Sequence, residues 1–253
     1  MKITFLGTGT SQGIPVIGCK CATCQSTNPF DQRLRASVLV ETNGQILVID
    51  AGPDFRQQML RANVENISAI LLTHEHYDHI AGLDDIRAFN WIQKKDTDIY
   101  AEKRVLEAIQ RLFFYVFSKN KYPGVPQMEL HEIDEHPFTI ENTCIIPVRG
   151  MHHKLPILGF RIESFAYITD MKTIETKELD KLHGLEVFVI NALRKESHIS
   201  HSTLHEALEI IDHVKPRRAY ITHISHQMGP YNQVSPLLPP GVSLACDGLE
   251  LYL

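Results

Sequence analysis

The chain has 253 residues, 43% hydrophobic and 22% charged, the balance of an ordinary globular protein and a length that suits one large domain or two small ones. Its formal charge of −5, with no lysine/arginine block, argues against a protein that grips long nucleic acid by its backbone. No apolar run approaches the roughly 18 residues of a membrane span, and five cysteines in a chain this long do not read as a disulfide framework.

In chain order, KITFLG (2–7) predicts a first strand running into GTGTSQG (7–13). Read this way, the N-terminal residues are a strand and not a signal peptide, and a cytoplasmic protein is expected. ASVLVET (36–42) and QILVIDAG (45–52) predict a hairpin turned at Asn43-Gly44. Pro53 and Asp54 open a helix over 54–62. ISAILLT (67–73) is apolar and β-branched, hence a buried strand. Helices are predicted over 82–93 and 101–117, the second with Val105, Leu106, Ile109, Leu112, Phe113 and Val116 at helical spacing. Strand patterns follow at 128–133, 137–140, 144–148, 157–162, 165–170 and 185–191. A helix over 202–214, capped by Ser202 or Thr203 and closed before Pro216, leads to a strand at 218–224. Without repeats or composition breaks, this order predicts an α/β chain of two mixed sheets with helices outside, in one domain over 1–253.

The densest chemistry is THEHYDH (73–79), three histidines, one glutamate and one aspartate where a buried strand leaves the core. His74 and His76, two apart in extended chain, present their side chains on one face. Asp78 and His79 follow as the chain turns and can serve a neighbouring position. Imidazole and carboxylate together suit zinc, manganese or iron. Further ligands must come from elsewhere, and Asp170 and His223 each end an apolar strand pattern, while His152 and His153 follow IIPVRGM.

These residues, in this order, resemble the metallo-β-lactamase superfamily, and ILVIDAG (46–52) resembles the segment that family places before its metal motif. The resemblance covers essentially the whole chain and implies a four-layer αβ/βα sandwich with a dinuclear site at one edge. It implies that His74, His76 and His152 or His153 hold one metal, with His152 favoured because HHKLPILGF resembles family segments with the ligand in that place. Asp78, His79 and His223 would hold the second, and Asp170 would bridge. A water between two such cations loses its proton near neutral pH and can attack carbonyl carbon or phosphorus without a nucleophilic side chain. Asp50 is expected behind the ligands, hydrogen-bonded to one of them.

Cys19, Cys21 and Cys24 form C-x-C-x2-C, and His226, three residues after His223, can complete a Cys3His structural zinc site. Cys144, inside a strand pattern, is expected in the core. The cysteine loop and His226 resemble the superfamily branch that contains the phosphodiesterase of the bacterial carbon–phosphorus lyase pathway, which opens 5-phospho-α-D-ribosyl 1,2-cyclic phosphate. In that branch a histidine placed like His201 protonates the leaving alkoxide, so His201 and Asp78 are the expected catalytic residues. His198 and His205 read as bystanders, and Arg149, Lys154, Arg161 and Arg194 are candidates for holding a substrate phosphate.

The expected function is hydrolysis of a small cyclic phosphodiester, with two active-site divalent metals (Zn or Mn), one structural Zn, and no membrane or nucleic-acid partner. Two alternatives stand beside it. One is a transfer-RNA 3′-processing ribonuclease, although no basic Gly/Pro-rich arm is present. The other is a non-catalytic metal-binding protein of cofactor biosynthesis. The aromatic-rich 101–117 helix leaves a homodimer open, with core packing as the alternative use of that face.

Overall fold

The structure, a computed structural model, describes residues 1–253. Its strands are β1 (Lys2–Gly7), β2 (Ser37–Thr42), β3 (Gln45–Ile49), β4 (Ala69–Leu71), β5 (Thr97–Ala101), β6 (Met128–Glu132), β7 (Phe138–Ile140), β8 (Thr143–His152), β9 (Leu155–Ile162), β10 (Phe165–Ile168), β11 (Thr173–Ile174), β12 (Val187–Asn191), β13 (Arg218–Thr222), β14 (Val242–Leu244) and β15 (Glu250–Tyr252). The helices are α1 (Phe55–Arg61), α2 (Tyr77–Ile80), α3 (Arg87–Gln93), α4 (Lys103–Leu112), α5 (Thr176–Leu179), α6 (Leu204–Val214) and α7 (Tyr231–Val234).

One sheet has seven strands in the order β15-β1-β2-β3-β4-β5-β6; the other has eight, ordered β11-β8-β9-β10-β12-β13-β14 with β7 on β8. Strand alternation explains the layers. Ile3 and Phe5, Val38 and Val40, Leu47 and Ile49 point between the sheets, where Phe160, Phe165, Tyr167, Val187 and Val189 meet them. Leu6, Leu39, Val48 and Ile70 point the other way and are covered by α1, α3 and α4 through Phe55, Met59, Phe89, Val105 and Ile109. Phe188, Ile190 and Ile221 are covered by α6 through Ala207, Ile211 and Val214. The result is the expected αβ/βα sandwich. Both faces of each sheet are covered, which is why the strands read as nearly continuous apolar runs. Each fully buried large side chain contributes about 1.5–3 kcal/mol relative to exposure.

Several expectations are corrected. The 101–117 helix stops at Leu112. The Phe-Phe-Tyr-Val-Phe run after it is a poor helix former, and it turns so that Phe113 and Val116 enter the core while Phe114 stays exposed. The 82–93 helix is a 3-10 segment, Ala81–Ile86, followed by α3. Cys144 is exposed on β8 and is not a core residue. The 54–62 helix runs over Phe55–Arg61, with Asp54 at its N-cap position; the Asp54 side chain makes no capping bond and accepts instead from the Arg35 backbone and guanidinium. Thr203 is the cap of α6, with Glu206 closing a reciprocal capping box. No helix is long and apolar enough to cross a membrane.

Candidate metal centre

Parallel pairing aligns strand ends. β3 runs parallel to β4, and β10, β12 and β13 are parallel neighbours. β8 is antiparallel to β9, which is antiparallel to β10, so β8 also finishes at that edge. At or just past these C-terminal ends stand Asp50, Thr73-His74, His152 (the last residue of β8), Asp170 and His223. The two sheets are joined there, with Leu158 N–H donating to the Thr73 carbonyl at 3.1 Å and Ile224 N–H to the Thr8 carbonyl at 2.9 Å.

Backbone conformation records a functional demand. Asp50 (φ 65°), Asp170 (φ 59°) and His223 (φ 54°) are all left-handed. Such a conformation costs a non-glycine residue on the order of 1–3 kcal/mol and persists only where the surroundings enforce it. Two glycines let the elements close in: a Cβ on Gly52 would lie 1.9 Å from the Asp78 carbonyl oxygen, and one on Gly82 would lie 2.0 Å from the Gly52 carbonyl oxygen. Asp78 and His79 themselves lie in the single-turn helix α2, which carries both back toward the strand ends.

Asp78, His79, Asp170 and His223 offer ligand atoms that all lie within 4.8 Å of one another. His79 Nε2 lies 3.1 Å from Asp78 Oδ2 and 3.2 Å from Asp170 Oδ2; His223 Nε2 lies 3.1 Å from Asp170 Oδ1. Yet His79 Nε2 and both nitrogens of His223 are buried without a hydrogen-bond partner. Buried polar atoms are rarely left so. Lone pairs that converge without bonding one another fit a cation among them. His74, His76 and His152 lie beside it: the His76 and His152 rings are 5.1 Å apart and those of His74 and His152 5.8 Å, but His74 Nε2 meets His76 Nδ1 at 3.0 Å, and the ligand atoms of His152 converge with those of Asp170 and His201. His152 Nδ1 donates to the carbonyls of Asp170 (2.8 Å) and Ser200 (2.9 Å), which leaves Nε2 for the site. His153 sits in the β8–β9 turn, exposed, with φ 54°, so the geometry favours His152 of the two.

Behind this cluster, Asp50 is fully buried and accepts from His79 Nδ1 (2.7 Å), Thr73 N–H (2.9 Å) and Thr73 Oγ1 (3.0 Å). That bond fixes which His79 nitrogen faces the cluster. Burial raises the Asp50 carboxyl pKa. Burial alone would lower that of His79, but Asp170, Asp78 and Asp50 around it raise it well above the usual imidazole range. Burial likewise works against the charge of Asp170, but His223 and His79 hold its pKa well below the usual carboxylate range. Three carboxylates, Asp50 and Asp170 buried and Asp78 half-buried, thus demand positive charge, which divalent cations would supply in place of a proton.

His201 stands on the same rim, its ring 4.5 Å from that of His152 and 4.9 Å from that of His223. Its Nδ1 is 3.8 Å from Asp170 Oδ1 and has no hydrogen-bond partner. Burial, and next the neighbouring His223, push its pKa down to about 3. The cysteine loop closes on His226: Cys19 Sγ and Cys21 Sγ are each 3.3 Å from His226 Nδ1, and Cys24 lies in the same group.

Sequence reasoning missed two supports. Asn191, ending β12, accepts from Met171 N–H and donates to its carbonyl, pinning the turn after Asp170. Its place at the end of the apolar LEVFVIN run is the same signal that exposed Asp170 and His223. Arg104 on α4 donates to Glu75 of the motif and to the Pro156 carbonyl on β9; no spacing rule links these residues. Of the phosphate-holding candidates, Arg149 is committed to Glu102 and Glu135, and Arg161 to the carbonyls of Lys181, His183 and Glu163.

A β-lactamase superfamily domain model matches residues 45–224, which contain every proposed active-site ligand. This chain belongs to the β-lactamase superfamily. A solved structure described as a new diphosphatase from the PhnP family superposes over 100% of this chain and 97% of its own, with TM-score 0.93 and 38% identity. The octanoyltransferase of Porphyromonas gingivalis is 40% identical across the whole chain, which spans only 52% of that protein's length. Ribonuclease Z of Mycobacterium bovis is 27% identical over 78% of this chain and 71% of its own. Sequence and fold thus both place the chain in this superfamily.

Proposed function

We propose that this chain is a dinuclear metal-dependent phosphodiesterase that opens a small cyclic phosphodiester of the 5-phosphoribosyl 1,2-cyclic phosphate type. In this reading His74, His76 and His152 would hold one cation, Asp78, His79 and His223 the other, and Asp170 would face both. Zinc or manganese suits this nitrogen and oxygen donor set. Bound there, the cations would supply Lewis acidity toward phosphoryl oxygen and acidify a water between them. The observation that carries the reading is the convergence of orphaned imidazole nitrogens on Asp78 and Asp170, with His201 standing just outside that group.

His201 is the proposed general acid. Its Nδ1 faces Asp170, which leaves Nε2 on the opposite side of the ring for a leaving alkoxide. With its pKa at about 3 it is neutral in the resting protein. A phosphodiester anion against the ring favours its protonated form, so the acid is armed by the substrate it serves. A sugar alkoxide leaves poorly without that proton. Cys19, Cys21, Cys24 and His226 are proposed to hold a structural zinc.

The test is hydrolysis of a panel holding bis(p-nitrophenyl) phosphate, a ribose 1,2-cyclic phosphate, a phosphomonoester, a precursor transfer RNA and an octanoyl thioester, with metals counted on the same sample. Diester cleavage without monoester cleavage, at two or more metals per chain, is expected. Discrete 3′ products from the transfer RNA, with no small-diester turnover, would replace this reading by the ribonuclease one, which the 27% identity to ribonuclease Z favours. Turnover of the thioester alone would point to acyl chemistry instead.

A further inference from the structure

The segment between β12 and α6 carries more than His201. It is pinned at both ends: Leu193 N–H donates to the Ser202 carbonyl at 2.9 Å, Leu204 N–H to the Arg194 carbonyl at 2.9 Å, and Ser225 N–H to the Leu193 carbonyl at 3.0 Å. The Arg194 backbone is therefore fixed relative to His201, and its guanidinium bonds the Ser197 carbonyl, next to His198. The half-buried His198 ring lies 5.1 Å from that of His201.

Arg194 differs from the other basic residues near the site. Lys172 is neutralised by Glu206 at 2.7 Å, and Arg149 by two glutamates. Arg194 meets only neutral acceptors: Gln227 Oε1 at 2.6 Å, the Ser197 carbonyl at 2.8 Å and the Glu196 carbonyl at 3.3 Å. Each guanidinium nitrogen gives one N–H to these acceptors, so one N–H remains free on each terminal nitrogen. A clamped guanidinium with its charge unanswered and a two-pronged fork to spare suits a phosphate.

We propose that Arg194 and His198 form a second anion subsite, outward of His201, which receives a phosphate that the substrate carries in addition to its scissile phosphodiester. The proposal deepens the phosphodiesterase reading and rests on it. The local field agrees: besides burial, the Arg194 guanidinium pushes the His198 imidazole pKa down. A doubly anionic substrate would be oriented by its remote phosphate, so that its leaving oxygen meets His201.

The experiment compares ribose 1,2-cyclic phosphate with and without a 5-phosphate, for the wild type, Arg194→Ala, Arg194→Lys and His198→Ala. The wild type should prefer the 5-phosphorylated substrate by at least about tenfold in kcat/KM. Arg194→Ala should lose most of that preference, mainly through KM, and Arg194→Lys should keep part of it. A wild type without preference, or an Arg194→Ala that loses kcat/KM equally on both substrates, overturns the subsite. Calorimetric titration with ribose 5-phosphate separates the two readings. If no diester is cut, the phosphodiesterase reading fails. Binding that Arg194→Ala abolishes would still support the anion subsite, and binding that it leaves intact would refute it.

Discussion

The two ligand-type clusters of this chain are built on opposite plans. Asp78 and His79 come from a helical turn that follows a strand of the first sheet, Asp170 and His223 from two strand ends of the second, and three of the four are buried. Cys19, Cys21, Cys24 and His226 come from loops, and only Cys24 is buried. Between β1 and β2 the chain has no strand, only the 3-10 turn Pro29–Asp31, and it gives the core little beyond Ile14, Cys24 and Ala36. The first cluster is therefore positioned by the sandwich, whether or not a cation is present. The second sits in a loop that buries few apolar side chains and is tied to the rest by polar bonds, among them Arg33 to Thr8 and the Ala245 carbonyl, Leu34 N–H to Asp247 and Tyr231 N–H to Asp31, so a metal bound there would add directly to the stability of the fold. Removing a ligand should accordingly cost the first cluster activity and the second stability.

The largest effect should come from Asp170→Asn, because its carboxylate meets both His79 and His223. Weakening both cations removes several kcal/mol of charge stabilisation, or about a thousandfold or more in kcat, while the melting temperature changes little. An Asp170→Asn protein that unfolds would break the contrast. His201→Ala should follow, with full metal content and kcat down by roughly 10²–10⁴-fold. A fully active variant would remove His201 from the chemistry.

Cys21→Ser tests the other side. It should lose one metal per chain and several kcal/mol of stability, with diester turnover per correctly folded molecule falling far less than in Asp170→Asn. An unchanged metal count would refute the cysteine site. Thiol chemistry gives a milder probe. Without metal, the Cys24 backbone N–H is the main cause that lowers the Cys21 thiol pKa to about 6, while burial raises that of Cys24 to about 11. Iodoacetamide at pH 7 should take Cys21 before Cys24, the rate should fall as pH drops below about 6, and zinc should protect it. Equal alkylation with and without zinc would deny the metal its place.

What was legible in the sequence divides along the same line. Histidine and aspartate at the ends of apolar strands announce a site because strand periodicity and ligand chemistry coincide there, as at His74, Asp170 and His223. The sandwich was legible because each strand alternates between two buried faces. Helix ends were not: the 101–117 pattern is apolar at helical spacing to Val116, but Phe113 and Val116 reach the core from a turn. Cys144 followed a strand pattern whose orientation only the sheet pairing fixes; opposite Thr139, it faces solvent. The ionic chain Glu75–Arg104–Glu102–Arg149–Glu135 was invisible because its members meet only after both sheets have assembled.

That chain supports the smallest prediction. Glu75 lies between His74 and His76, and Arg104 ties it both to Pro156 on β9 and, through Glu102, to Arg149 on β8, the strand that ends in His152. One guanidinium thus registers two ligands from the first sheet against one from the second. Arg104→Ala should lower metal affinity at the three-histidine position by about tenfold, the lower end for an outer-sphere partner, with little change at the cysteine site. Competition with a chromogenic chelator, read against total metal by mass spectrometry, separates the two. Arg104→Lys should recover only part of the affinity, because a single ammonium cannot span Glu75, Glu102 and the Pro156 carbonyl in the fork geometry that guanidinium provides. Equal weakening at both clusters would mean that Arg104 stabilises the fold at large and does not register the histidines.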